Sequence, residues 1–318
     1  MPENMGVPDS PLALSPYAVL GVPEKASEPE LRRAYLRKLR EAHPDTGGTT
    51  TQFDLVRRAW EQVGTPAARA SYDSGAERDQ DVDGSPARTW APRAPSPRAG
   101  SSRPQARMHG HPGGWYREQY LTLLHEWVGR GTAVPNPYDP ALVRSAPVEV
   151  RHLLASAIAE EDTAVVLASL GIAFTVWNDV LTDAVRGPAA KIDHIVLGPT
   201  GVWGMLSEDW GAAVSVRRGE LVGTGIAPNE KPLHDLAGRA RIFERQAKVK
   251  FSALVIVVPD SSSPDGVVAL VTIRGAQSLL VPRSRLANVV QSRADGFAFG
   301  GTDLFEVRTR IQSAARFV

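Results

Sequence analysis

Two short stretches of this sequence carry residue types that could do chemistry. The first is His43-Pro44-Asp45, preceded by the cations Arg32, Arg33, Arg37, Lys38 and Arg40. Clustered cations speed encounter with an anionic partner more than they add affinity, so this is chemistry of recognition. The second is Lys191-Ile192-Asp193-His194, with Glu160-Glu161-Asp162 upstream and Glu208 downstream. On a strand, Lys191 and Asp193 stand two apart and share a face, while His194 falls on the other, which argues against an Asp193–His194 dyad. Each stretch also has a plainer reading. A basic helical face is usually just solvated, and a lone His-Pro-Asp is mostly turn chemistry. Lys191 at a strand start reads equally well as a solvated side chain, with Asp193 and His194 holding a hairpin by hydrogen bonds.

The elements around the tripeptide follow from spacing. From Glu30 to Ala42, Leu31, Tyr35, Leu39 and Ala42 recur at helical intervals and the arginines take the remaining surface. Phe53, Val56, Ala59, Trp60 and Val63 repeat the pattern, and Gly64-Thr65-Pro66 ends it and starts a short helix. Pro44 forces His43 out of helical dihedrals, so the first helix stops there. Two amphipathic helices joined by a polar loop pack antiparallel and leave His43 and Asp45 at the tip.

Patterning in the second half predicts a helix near Trp115–Val128 and another from about Pro147 to Leu170. Phe174–Trp177 reads as a strand, Ile192–Leu197 and Val202–Leu206 as a hairpin around Gly198-Pro199-Thr200-Gly201, and Val214–Val222 as a hairpin turning at Arg218-Gly219. A helix follows over Lys231–Lys248, then strands at Phe251–Val258 and Gly266–Ile273, and a closing helix at Thr302–Arg316. Helices packed on such strands make an α/β or α+β domain.

Composition bounds the alternatives. At 318 residues and 42% hydrophobic, the chain is long enough for two ordinary domains with real cores. A net charge of +1 leaves nucleic-acid attraction to local patches. The absence of cysteine excludes disulfides and a cysteine-ligated zinc module. The longest apolar run falls far short of a membrane helix and the first residues do not resemble a signal peptide, so the expected location is cytoplasmic. Between residues 76 and 114 the sequence turns to Pro, Ser, Gly, Ala and Arg and cannot bury a core, which predicts a disordered tether. Five arginines from Arg88 to Arg107 raise a weak, salt-sensitive grip on anionic polymers as one option for it.

With these residues in view, the N-terminal part resembles a complete J-domain of DnaJ-type co-chaperones. The resemblance rests on Ser15-Pro16-Tyr17-Ala18-Val19-Leu20-Gly21-Val22, Glu30–Tyr35, His43-Pro44-Asp45, Ala59-Trp60-Glu61 and Ser71-Tyr72-Asp73, all in order. It implies an all-α helical hairpin whose basic face docks on a DnaK-type chaperone and whose tripeptide stimulates ATP hydrolysis there. Arg32, Arg33, Arg37, Lys38, Arg40, His43, Pro44 and Asp45 would take those roles. Leu36 departs from the pattern, since a basic residue is common there.

The stretch Ala190–Trp203, with Glu160-Glu161-Asp162, is similar to the nuclease-related domain called NERD, a branch of the restriction-endonuclease-like PD-(D/E)XK fold. In working members an upstream glutamate, the aspartate of Ile-Asp-His and an acid-x-lysine on the next strand surround a divalent metal, Mg²⁺ or Mn²⁺. Glu160 and Asp193 match the first two. The third fails, because Leu206 stands at the acid and Glu208 at the lysine. A rearranged site would use Glu160, Asp193 and Lys191 in catalysis and Glu160, Asp193 and Glu208 as metal ligands. The expected organisation is therefore an N-terminal tail (1–15), a J-domain (16–75), the linker (76–114), a helical connector (115–146) and a NERD-like domain (147–318). The expected function is a DnaJ-type co-chaperone with a degenerate nuclease-like domain that targets a client, a nucleic acid or a nucleoprotein. The alternatives are a metal-dependent nuclease regulated by its J-domain, and a purely structural interaction module.

Overall fold

The structure, a computed structural model, describes residues 10–12, 14–43, 47–48, 50–74, 90–92, 104–129, 131–182, 190–273, 275–292 and 301–318. Pro44 and Asp45, the N-terminal tail up to residue 9 and most of the expected linker lie outside the described residues. The chain divides into two units, one helical (Ala13–Ala91 with Tyr138–Leu142) and one built on a sheet.

The helical unit contains α1 (Pro16–Leu20), α2 (Glu28–Glu41), α3 (Thr50–Val63) and α4 (Pro66–Ser74). Its helix starts are set by local hydrogen bonds. Ser15 Oγ accepts from Ala18 N at 3.2 Å, and the Ser27 N–H and hydroxyl both donate to Glu30 Oε2, at 2.8 and 2.6 Å. Tyr17, Leu20, Leu31, Val56 and Val63 make the core, and Tyr35 of α2 stacks on Trp60 of α3 with ring centroids 4.4 Å apart. Tyr17 donates to Asp73 at 2.8 Å. Burial first, then that carboxylate, pushes the Tyr17 phenol up to about 12.

The sheet unit contributes β1 (Arg107–His109), α5 (Gly114–Val128), α6 (Pro140–Ser145), whose first turn belongs to the other unit, and α7 (Val148–Ala168). Then come β2 (Thr175–Leu181), β3 (Lys191–Gly198), β4 (Gly201–Ser207), a separate hairpin of β5 (Val214–Arg217) and β6 (Glu220–Gly223), and α8 (Pro232–Ala247). The remainder is β7 (Ala253–Val258), β8 (Val268–Ala269), β9 (Gln277–Pro282), α9 (Leu286–Gln291) and α10 (Gly301–Ala314). The sheet order is β1-β2-β3-β4-β7-β9-β8. β2, β3 and β4 form an antiparallel meander, β4, β7 and β9 run parallel, and β1 lies parallel to β2. Central strands with every residue buried, such as β3, β4 and β7, need cover on both faces. Leu167 of α7 with Leu286 and Val290 of α9 cover one face. Leu233, Leu236, Ala240 and Phe243 of α8 with Ile311 of α10 cover the other.

Most expected elements appear within a residue or two, but the strand expected at Phe174–Trp177 runs on to Leu181 as β2 and others differ more. The run Gly266–Ile273 pairs only over Val268–Ala269. The main strand is β9 instead, whose Gln277, Ser278 and Pro282 dilute its apolar signal. The Arg-rich stretch read as tether ends in β1, where Arg107, Met108 and His109 pair with Thr175, Val176 and Trp177. The Gly198–Gly201 turn is set by crowding: a Cβ on Gly201, at φ 124°, would sit 2.2 Å from Ser252 Oγ.

Candidate functional site

In the helical unit, Arg32, Arg33, Arg37 and Arg40 lie exposed along α2 and Lys38 is half-buried. Arg33 donates to Pro29 O and Arg40 to Leu36 O within the helix, and Lys38 pairs with Glu41 at 2.9 Å. Glu28, Arg32, Leu36 and the Tyr35–Trp60 stack line a depression on this face. His43 sits against the edge of Phe53, ring centroids 5.4 Å apart, and its carbonyl accepts from Gly48 N at 3.1 Å.

The sheet unit holds a second and very different assembly of charge. The alternation of β2 and β3 slips where Asp179 adopts φ 53°. Trp177 and Ile195 share a core with Val180 and Ile192 although their parity is opposite, and the ladder runs from Asn178↔His194 directly to Val180↔Ile192. At this slip Lys191 turns inward, only 2% exposed, and its ammonium meets three carboxylates. It pairs with Asp179 Oδ1 at 2.6 Å, Asp193 Oδ1 at 3.0 Å and, in close contact, Glu160 Oε1 of α7. The outer oxygens of two of them are fixed by backbone N–H groups: Gly113 donates to Glu160 Oε2 at 2.8 Å and Ser207 to Asp193 Oδ2 at 2.7 Å. The Tyr116 ring of α5 covers the ammonium at 4.6 Å.

Charge so deeply buried is stable only when paired. Burial works against the Lys191 cation, yet Asp193, Glu160 and Asp179 raise its pKa well above the ordinary lysine value, so it is charged. Burial also opposes ionisation of Asp193, but Lys191, His194, the Ser207 N–H and Arg239 hold its carboxyl below the usual range. Burial and then Asp193 drive Glu160 well above it, with the Lys191 cation working in the opposite direction. Glu160, Glu161 and Asp162 take three separate partners, Lys191, Arg117 and Arg283, as a helix that turns by about 100° per residue requires.

The reading of Lys191 as a solvated side chain is overturned by this geometry, and its ammonium meets Glu160 and Asp193 directly rather than standing beside a metal. Glu208 behaves otherwise. It lies one residue beyond β4 and accepts from Ser156 Oγ at 3.0 Å, with His152 Nε2 at 3.8 Å. Burial first, and Asp193 among its neighbours, raises its pKa to about 7. The expected ligand set of Glu160, Asp193 and Glu208 is therefore not assembled around one point. Among the described residues no group of three or more acidic or histidine side chains is arranged to hold a metal ion. A divalent ion does not fit here for a simple reason: the Lys191 ammonium stands where the carboxylates converge.

His194 is also structural. Its Nδ1 lies 2.8 Å from Asn178 Oδ1 and its Nε2 3.1 Å from Ser207 Oγ, so it ties β2, β3 and β4 together, and burial lowers its pKa to about 4. With both nitrogens so engaged, it forms no dyad with Asp193. Sequence reasoning missed Asp179 and Tyr116. Asp179 lies beyond Trp177, where the expected strand stopped, whereas β2 runs on to Leu181.

Residues 15–73 match the DnaJ domain family, so this stretch is a J-domain. It is 43% identical over 60 residues to a chaperone protein DnaJ of Thermosynechococcus vestitus, covering 18% of this chain and 16% of that protein. A chaperone protein DnaJ of Leifsonia xyli is 40% identical over 62 residues, 19% of this chain and 17% of that one. The human mitochondrial DnaJ homolog subfamily C member 30 is 33% identical over 100 residues, 29% and 43% respectively. The chain thus spans less than half the length of these curated relatives. No solved structure matches it, and no described helix is long and apolar enough to cross a membrane.

Proposed function

We propose that this protein is a co-chaperone that recruits a DnaK-type ATPase through its J-domain, while its C-terminal domain, a NERD-like fold without nuclease chemistry, selects what is delivered. The single observation that carries the first half is the DnaJ-domain match over residues 15–73, with His43 two residues past a helix whose exposed side is arginine-rich. In this reading Arg32, Arg33, Arg37, Lys38 and Arg40 steer the anionic partner and His43-Pro44-Asp45 triggers hydrolysis. The second half rests on the meeting of Glu160 and Asp193 about a buried lysine, sealed by Tyr116, rather than about an accessible cation. Metal-assisted cleavage needs a Lewis acid and a water beside the phosphate, and a site only 0–2% exposed admits neither readily.

Purified protein is expected to raise DnaK ATP turnover several-fold, and His43→Gln to remove that effect without changing the melting temperature. An unchanged response from His43→Gln would sink the co-chaperone assignment. Incubation with single- and double-stranded DNA and RNA in Mg²⁺ or Mn²⁺ is expected to leave the polymers intact. Cleavage that vanishes in Asp193→Ala would instead establish the nuclease reading.

A further inference from the structure

We propose that the edge of β2 at Asp179–Leu181 is a strand-addition site for extended apolar segments of an unfolded polypeptide, and that Arg316-Phe317-Val318 is its resident occupant, displaced when such a segment binds. This rests on the reading that the C-terminal domain selects what is delivered, and it names the class of partner selected.

The edge of β2 is covered piecemeal. β1 lies parallel along Thr175–Trp177 and has its own attachments, Arg107 N donating to Phe174 O at 3.1 Å and Asn178 Nδ2 to His109 O at 2.8 Å. Beyond it, residues 316–318 run antiparallel to β2 with Phe317 opposite Val180. Two backbone hydrogen bonds hold them there: Leu181 N donates to Arg316 O at 2.7 Å, and Val318 N donates to Asp179 O at 3.2 Å. Phe317 and Val318 remain 40% and 48% exposed, so burial adds little to those two bonds. A sheet edge presents N–H and C=O groups that pair with another chain unless something covers them. The cover here is short and lightly held.

The occupant also states the chemistry of the partner. Strand addition draws affinity from main-chain bonds and specificity from alternate side chains. A Cβ on Gly110, at φ 78°, would stand 2.7 Å from Phe317 Cδ1, so the missing side chain leaves room for a ring at the bend after β1. The partner residue at the Phe317 position is therefore aromatic or large and apolar. The residue at the Val318 position must carry an N–H and cannot be proline. Arg316 is exposed, and no charge is selected there. Segments of this kind are buried in folded proteins and accessible in unfolded ones. Attachment behind α10 gives residues 316–318 a high effective concentration, which keeps a weak contact seated until a competitor is abundant.

The test compares the full chain with a chain ending at Ala315, using a fluorescent, amidated peptide of residues 314–318 as probe. By fluorescence anisotropy the shortened chain is expected to bind the peptide about tenfold more tightly than the full chain does. N-methylation of the peptide's valine should abolish binding, and Phe317→Ala in the peptide should weaken it. Reduced, carboxymethylated lactalbumin, a permanently unfolded polypeptide, should displace the peptide, whereas folded lactalbumin should not. If the shortened chain fails to melt cooperatively, Val318→Pro in the full chain, which removes the N–H donated to Asp179, takes its place and must bind the peptide. Equal affinity of the full and shortened chains, indifference to N-methylation, failure of unfolded lactalbumin to compete, or no binding by Val318→Pro would each overturn the proposal. A shortened chain that sediments as a dimer which the peptide does not dissociate would make the occupant a second copy, and would overturn it too. DnaK is absent from this assay. Loss of His43-dependent ATPase stimulation with peptide binding intact therefore strikes only the co-chaperone reading, and the reverse result strikes only the strand-addition site.

Discussion

The two charged regions of this molecule use the same side chains in opposite ways. Along α2, arginines stand in water on one face of a helix whose other face makes the core. Around Lys191, one cation and three carboxyl groups are withdrawn from water, and each is fixed by a partner. Exposed charges interact weakly with their neighbours and so remain available to an external partner. Buried ones are strongly coupled, and their removal disturbs the fold itself. Exposure, rather than charge content, separates a surface open to solvent from an internal tie.

Substitution can sharpen or break this contrast. The largest effect is expected at Lys191→Met, which strands buried carboxyls without a cation and should cost about 3–5 kcal/mol of stability, read from the denaturant midpoint. Adding Glu160→Gln and Asp179→Asn should recover much of that loss; if it does not, the tie is not electrostatic. Next comes Glu208, whose pKa rises from an ordinary 4.5 to about 7 in the folded chain. Between those pH values the folded state holds the extra proton, so stability should fall as pH rises from about 4.5 to 7 and then level off. Glu208→Gln removes this slope and should be more stable than wild type at pH 8 by on the order of 3 kcal/mol, with little difference near pH 4.5, in paired thermal melts. A smaller change follows from Ser27→Ala, which removes the hydroxyl of the α2 cap at a cost of about 1 kcal/mol. Smallest in stability is Arg32→Glu with Arg33→Glu, within about 0.5 kcal/mol of wild type. The same pair should nonetheless slow association with DnaK by about tenfold at low salt, with the difference shrinking as salt is added, as stopped-flow binding would reveal.

How much of this was legible beforehand follows the same division. The α2–α3 hairpin could be read because one apolar stripe per helix and a proline in the loop leave few alternatives, and Leu31, Val56 and Val63 are buried accordingly. Lys191 and Asp193 were placed together by the two-residue period of a strand. That period could not reveal Asp179, because the pleat slips at this residue and a slip has no signature in composition. Glu208 was misplaced for a related reason: β4 ends at Ser207, and the next side chain is released from alternation to meet Ser156 of α7. Tyr116 went unseen because α5 reads as a connector, whereas it packs against α7, with Arg117 clamped on Glu161. Ends and irregularities of elements, where tertiary contact overrides local pattern, are where the site is built.

The strand β1 has a mechanical consequence. The chain enters the sheet at its rim through only three paired residues, then bends at Gly110 and Gly113 before α5, and it is the Gly113 N–H that grips Glu160. Tension applied at residue 104 therefore loads these few bonds before the central strands feel it. Stretched from a handle attached there, the domain should yield in a small early step that unlatches the cover of the ionic pocket, well ahead of the rupture of β3, β4 and β7.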